Sequence, residues 1–84
     1  MTNKTIKITT YKGLDRHIAV FLVQKATEFP CSITMSHRER IINAKSLLGV
    51  LSLGVGCDEE VKLTADGQDE ELAVAALASF LQNV

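Results

Sequence analysis

Two hydrophobic periods alternate along this chain. Thr5-Ile6-Lys7-Ile8-Thr9-Thr10 switches between polar and apolar residues with β-branched side chains throughout, the pattern of a strand with one buried face. From Arg16 to Phe29 the period changes: Ala19, Leu22, Val23, Ala26 and Phe29 recur at three- and four-residue steps, which predicts an amphipathic helix. Asp15 stands where an N-cap belongs, and Pro30 closes the helix because proline disfavours helical backbone in the residue before it. Cys31 to Ser36 alternates again with Ile33 and Met35 on one side. Arg38-Glu39 fits a turn and Arg40 to Asn43 a return strand, so the two segments predict a hairpin. Ser46 to Leu53 reads as a short helix stopped by Gly54 and Gly56. Glu60 to Ala65 is a fourth alternating strand. Asp69 to Leu81 is a helix rich in Ala and Leu, with Leu72, Ala76, Leu77 and Phe80 on its expected apolar face.

The predicted order is β-α-β-β-α-β-α. Four half-buried strands and three helices, each with one apolar stripe, suggest an α+β two-layer domain with helices on one face of the sheet. The 84 residues suffice for one domain. With 46% hydrophobic and only 5% aromatic residues, the core is expected to be built from Leu, Val, Ile and Ala.

Charge narrows the class of function. Nine basic and ten acidic residues leave a formal charge of −1, without the basic excess expected of a general nucleic-acid binder. The acidic triplets Asp58-Glu59-Glu60 and Asp69-Glu70-Glu71 fit a strand start and the first turn of a helix. Cys31 and Cys57 are too few for a metal motif or a disulfide scaffold; a single bridge is compatible with the sequence, and free thiols in a reducing cytosol are the expectation. No segment approaches a membrane span and Met1 to Lys7 is polar, so a cytoplasmic location without membrane contact is expected. No triad, phosphate loop, metal cluster or carboxylate pair is visible. Gly54-Val55-Gly56 is better explained as a helix stop than as a phosphate-loop fragment. Neither enzymatic activity nor a cofactor is expected.

Two segments carry a resemblance. Asn43-Ala44-Lys45-Ser46-Leu47-Leu48-Gly49-Val50-Leu51-Ser52-Leu53-Gly54 resembles the Lys-Ser regulatory helix of HPr, the histidine-phosphorylated carrier of the bacterial sugar phosphotransferase system. Gly13-Leu14-Asp15-Arg16-His17-Ile18-Ala19 resembles the loop that holds the carrier histidine in that family, Gly-(Ile/Leu)-His-Ala-Arg-Pro-Ala. Here Asp15 takes the histidine position, His17 the arginine position and Ile18 the proline position. The regulatory half of the pattern is intact and the carrier half rewritten. The resemblance runs from about Ile6 to the last helix and implies an open-faced sandwich, a four-stranded antiparallel sheet under three helices.

The resemblance implies a role for each half. In the family the loop histidine takes phosphate from enzyme I and passes it to transporter components, a task suited to an imidazole that is nucleophilic near neutral pH. Asp15 as phosphoacceptor lacks a magnesium-binding acidic cluster; it reads instead as an N-cap, or as a constant negative charge partly imitating phosphohistidine. His17 is either a displaced phosphoacceptor, although two residues amount to about 200° of helical rotation, or an exposed substitute for the arginine in a binding surface. Arg16 could also take the arginine's place. His37, beside the hairpin turn, is expected to be solvated surface. Ser46 is an N-cap candidate. Its Lys-Ser context implies phosphorylation by an HPr kinase/phosphorylase, after which family members bind a catabolite-control transcription factor. HPr proteins of bacteria that lack the kinase also carry this serine.

A partner-binding patch is expected from Ile18, Val20, Phe21, Lys45, Leu47, Leu48 and Leu51, rimmed by Arg16, His17 and Gln24. An alternative places several of these side chains in the core of a small domain. The leading expectation is a histidine-less HPr-like regulator resembling the catabolite-repression HPr-like proteins. The alternatives are a phosphocarrier using His17 and an unphosphorylated binding module. Either a monomer or a strand-swapped dimer fits the sequence.

Overall fold

The alternating segments become strands and the segments of period 3.6 become helices in a computed structural model that describes all 84 residues, Met1–Val84. The chain runs through β1 (Thr2–Lys7), α1 (Arg16–Thr27), β2 (Ser32–His37), β3 (Arg40–Asn43), α2 (Leu47–Ser52), β4 (Glu60–Asp66) and α3 (Glu70–Gln82), the expected order. The strands form one antiparallel sheet in the order β1-β4-β2-β3, with β4 inserted between β1 and β2. Alternation turns Ile6, Ile33, Met35, Val61, Leu63 and Ala65 toward the helices, where they join Leu22, Ala26, Val50, Leu77 and Leu81 in one core. The opposite face presents side chains such as Thr5, Lys62, Thr34 and Ser36, aligned across neighbouring strands. The fold is therefore an open-faced α+β sandwich.

Three expectations need correction. The first strand lies at Thr2–Lys7 rather than Thr5 to Thr10. Its pairing with β4 runs from Thr2 opposite Ala65 to Lys7 opposite Glu60, so partner geometry sets its limits rather than its own apolar residues. Ile8 still points into the core and exchanges backbone bonds with Asp58 and Glu59, while Thr10 has entered the turn, where its carbonyl accepts from Gly13 N–H. The first helix ends at Thr27, with Phe29 packed half-buried against the core beyond its C-cap.

The third correction concerns α3. Its buried face is Ala73, Val74, Leu77, Ala78 and Leu81, whereas Leu72 is 65% exposed. Apolar residues surround this helix, so hydropathy alone does not choose the side that meets the sheet. Its acidic start also does more than complement a dipole. Asp69 has φ +63° and makes no capping bond. Glu70 instead accepts from Gly67 N–H at 3.1 Å, from the Thr2 hydroxyl at 2.6 Å and from the Met1 amino group at 2.7 Å. Cys31 is buried and Cys57 exposed, both as free thiols. No helix is long and apolar enough to cross a membrane.

Candidate functional site

The turn before α1 is shaped by Gly13 at φ +70°, a conformation that favours glycine. A Cβ there would lie 2.5 Å from the Val55 carbonyl oxygen and 2.8 Å from Gly56 Cα, so the turn presses directly on the connection after α2. Leu14 N–H donates to that same Val55 carbonyl at 3.0 Å. Asp15 follows in extended conformation and does what an N-cap does: its Oδ1 accepts from Ile18 N–H at 3.0 Å, and its carbonyl accepts from Ala19 N–H at 2.9 Å. Arg16 and His17 are exposed on the first turn of α1. The His17 ring packs edge-on against Phe21, with centroids 5.2 Å apart at 78°. Together with Val20 these residues line a shallow hollow.

Ser46 precedes α2 in the same extended geometry. Its Oγ accepts from Gly49 N–H at 3.2 Å and its carbonyl from Val50 N–H at 3.0 Å. Lys45 is half-buried, and its Nζ donates to the Phe29 carbonyl at 2.7 Å, tying the approach to α2 to the end of α1. Asn43 Oδ1 accepts from Lys45 N–H at 2.9 Å and tightens the turn. The ammonium is thus committed to a backbone partner rather than standing free on a rim.

With both helix starts placed, comparison with known proteins is informative. A family model described as the PTS HPr component phosphorylation site matches residues 2–83. The chain belongs to the HPr family. It is similar to HPr-C-His from Thermoanaerobacter tengcongensis, 39% identical over 98% of this chain and 92% of that one, with a TM-score of 0.94. The phosphocarrier protein HPr of Bacillus anthracis is 32% identical over 96% of each chain, with a TM-score of 0.92. Crh, the Bacillus subtilis catabolite repression protein described as a domain-swapped dimer, is 33% identical over 98% of this chain and 94% of that one, with a TM-score of 0.78.

Within this HPr fold the expected patch divides in two. Ile18, Leu47 and Leu51 are half-buried and pack against the core, and Val20 is also half-buried. Phe21 is 46% exposed and Leu48 81%. The apolar surface that remains open is therefore carried by two side chains from the two helices, with Arg16, His17 and Gln24 exposed on α1.

His37 overturns the expectation of a solvated residue. It is 7% exposed, on the core side of β2 in step with Ile33 and Met35. Its Nδ1 lies 3.2 Å from the Leu53 carbonyl and its Nε2 lies 3.3 Å from Glu59 Oε1. Glu59 also accepts from Gly56 N–H at 2.6 Å and from Arg38 at 2.7 Å. The Gly56 N–H and then the Arg38 guanidinium hold its carboxyl below the usual range, partly offset by desolvation. Sequence reading missed this cluster, although period-two continuation from Ile33 and Met35 places residue 37 on the buried face.

Proposed function

We propose that this HPr-family chain is a non-enzymatic regulator without the carrier histidine, switched by phosphorylation at Ser46 and acting through protein contacts in carbon catabolite regulation. One observation carries the proposal. Asp15, which the sequence resemblance aligns with the carrier position, has its carboxylate engaged as the cap of α1, while Ser46 of the Lys-Ser segment caps α2. A phosphate on Ser46 adds about −1.5 to −2 charge beside the Gly49 N–H. It leaves the core untouched and offers a partner's arginine a charge-assisted contact.

An HPr kinase/phosphorylase is the proposed modifier and a catabolite-control transcription factor the proposed recipient. Phe21 and Leu48 would form the apolar centre of the docking surface, flanked by Val20 and by the outer parts of Ile18, Leu47 and Leu51. Arg16 would serve where the family arginine is replaced by His17. β1 is an edge strand bonded only to β4, an arrangement compatible with a strand-swapped dimer as well as a monomer.

A second reading has its own observation: His17 is exposed on the first turn of α1, its ring resting on Phe21. An imidazole there could take phosphate from enzyme I. Calorimetric binding to a catabolite-control regulator separates the two. The regulatory reading expects binding only after kinase treatment and none for Ser46→Ala. Equal binding by treated, untreated and Ser46→Ala protein would contradict it.

A further inference from the structure

His37 is the one polar side chain in the buried set, and both of its ring nitrogens face acceptors. Nδ1 meets the Leu53 carbonyl, at the residue that caps the end of α2. Nε2 meets a carboxylate that the Gly56 N–H and Arg38 keep ionised. A neutral imidazole has one N–H and one lone pair. In either tautomer one nitrogen therefore turns a lone pair toward an oxygen at 3.2 or 3.3 Å. The imidazolium donates to both. In a buried position an unmade hydrogen bond leaves a polar atom uncompensated, and the neutral ring cannot donate to both oxygens at once.

We infer that His37 is a proton-operated latch on α2: doubly protonated, its ring bridges the end of the helix to Glu59, and on losing a proton it releases one of the two contacts. Charged groups of both signs surround the ring. Glu59, on the connection between α2 and β4, offers it a carboxylate oxygen. Arg38 on the hairpin turn shares the same carboxylate. Glu39 on the turn and Arg40 on β3 line the same hollow, and Arg40 is itself tied to α2 through the Ser52 carbonyl at 2.8 Å and hydroxyl at 3.2 Å. α2 contributes no charged side chain.

The latch reaches both candidate sites. α2 carries Ser46 at its other end and Leu48 on its open side. The connection that Glu59 folds through Gly56 also supplies the Val55 carbonyl on which Leu14, and with it the Asp15 turn, is seated. Releasing the ring from either partner loosens the support of these surfaces. Both contacts are made while the ring holds two N–H groups, and one of them is lost when the ring gives up a proton. Phosphorylation of Ser46 plays no part in the inference.

The test is an NMR titration of the unphosphorylated full chain from about pH 5 to about pH 8, the range in which histidine changes charge. It follows both histidine rings together with the amides of Leu53, Gly56 and Glu59. The latch requires those amides to move with the His37 ring and not with the His17 ring. Glu59→Ala removes the oxygen that Nε2 faces, so the neutral ring keeps its Nδ1–H on the Leu53 carbonyl and the Leu53 amide should no longer follow the ring. Amides that ignore the His37 ring in the wild type, or a Leu53 amide that still follows it in Glu59→Ala, would each overturn the inference. The wild-type titration decides the matter even if Glu59→Ala does not fold.

Discussion

Single side chains at helix starts are where local sequence and local structure agree most closely. Asp15 and Ser46 each bond to the amide three residues on, a contact that needs no tertiary information and was legible in the sequence. Asp15→Ala and Ser46→Ala should therefore each lower unfolding free energy by about 1 kcal/mol in urea titrations. An unchanged midpoint would mean that the cap bonds contribute nothing. Gly13 makes a different demand. Gly13→Ala combines left-handed backbone with a Cβ at 2.5 Å from a carbonyl oxygen, so it should cost more than the roughly 1–2 kcal/mol of the backbone effect alone. His37 was hidden because its partners, Leu53 and Glu59, are remote in sequence. Its polarity argued for solvent while its parity with Ile33 and Met35 argued for the core, and the core position proved to include partners for both nitrogens.

At the level of elements, type and order could be read because strand and helix periods differ, but limits and faces could not always be. β1 shows the first failure. Thr2, Asn3 and Lys4 carry no apolar signal, yet they pair with Leu63, Thr64 and Ala65, since a ladder uses backbone groups whatever the side chains are. α3 shows the second. Leu72 and Leu77 look equivalent in the sequence, but only Leu77 is fully buried, in the core beneath the helix. Leu77→Ala should cost roughly 2–5 kcal/mol. Leu72→Ala should stay within about 0.5 kcal/mol. Equal losses in parallel urea titrations would contradict the assigned face. Within the expected partner patch, a small domain draws Ile18, Leu47 and Leu51 partly into its core and leaves Phe21 and Leu48 as the open part.

At the scale of the whole molecule, strand order was beyond the sequence pattern, because alternation reveals which face is buried and not which strand is the neighbour. The order β1-β4-β2-β3 brings the start of the chain to the beginning of α3, where Glu70 closes the sheet to the helix. The Met1 amino group, then the Thr2 hydroxyl and the Gly67 N–H, push the Glu70 carboxyl down to about 2 from an ordinary 4.5, and the bond to Glu70 raises the amino group above its ordinary 8.0. The carboxylate contribution is complete above pH 4.5 and is lost as pH falls toward 2; the amine contribution is complete below pH 8.0 and fades as pH rises through the raised value. Thermal midpoints of wild type and Glu70→Gln should therefore converge as pH falls through this acid range, and parallel curves would refute the link. Whole-molecule resemblance establishes the HPr family, and the proposed exchange of the carrier histidine for the capping Asp15 would set this chain apart within it. Intact-protein mass spectrometry tests that distinction most directly, after incubation with an HPr kinase/phosphorylase and ATP and, separately, with enzyme I and phosphoenolpyruvate. The regulatory account predicts one acid-stable phosphate from the kinase, absent in Ser46→Ala, and none from enzyme I. An acid-labile phosphate from enzyme I that disappears in His17→Ala would contradict it and make the chain a carrier with a displaced histidine.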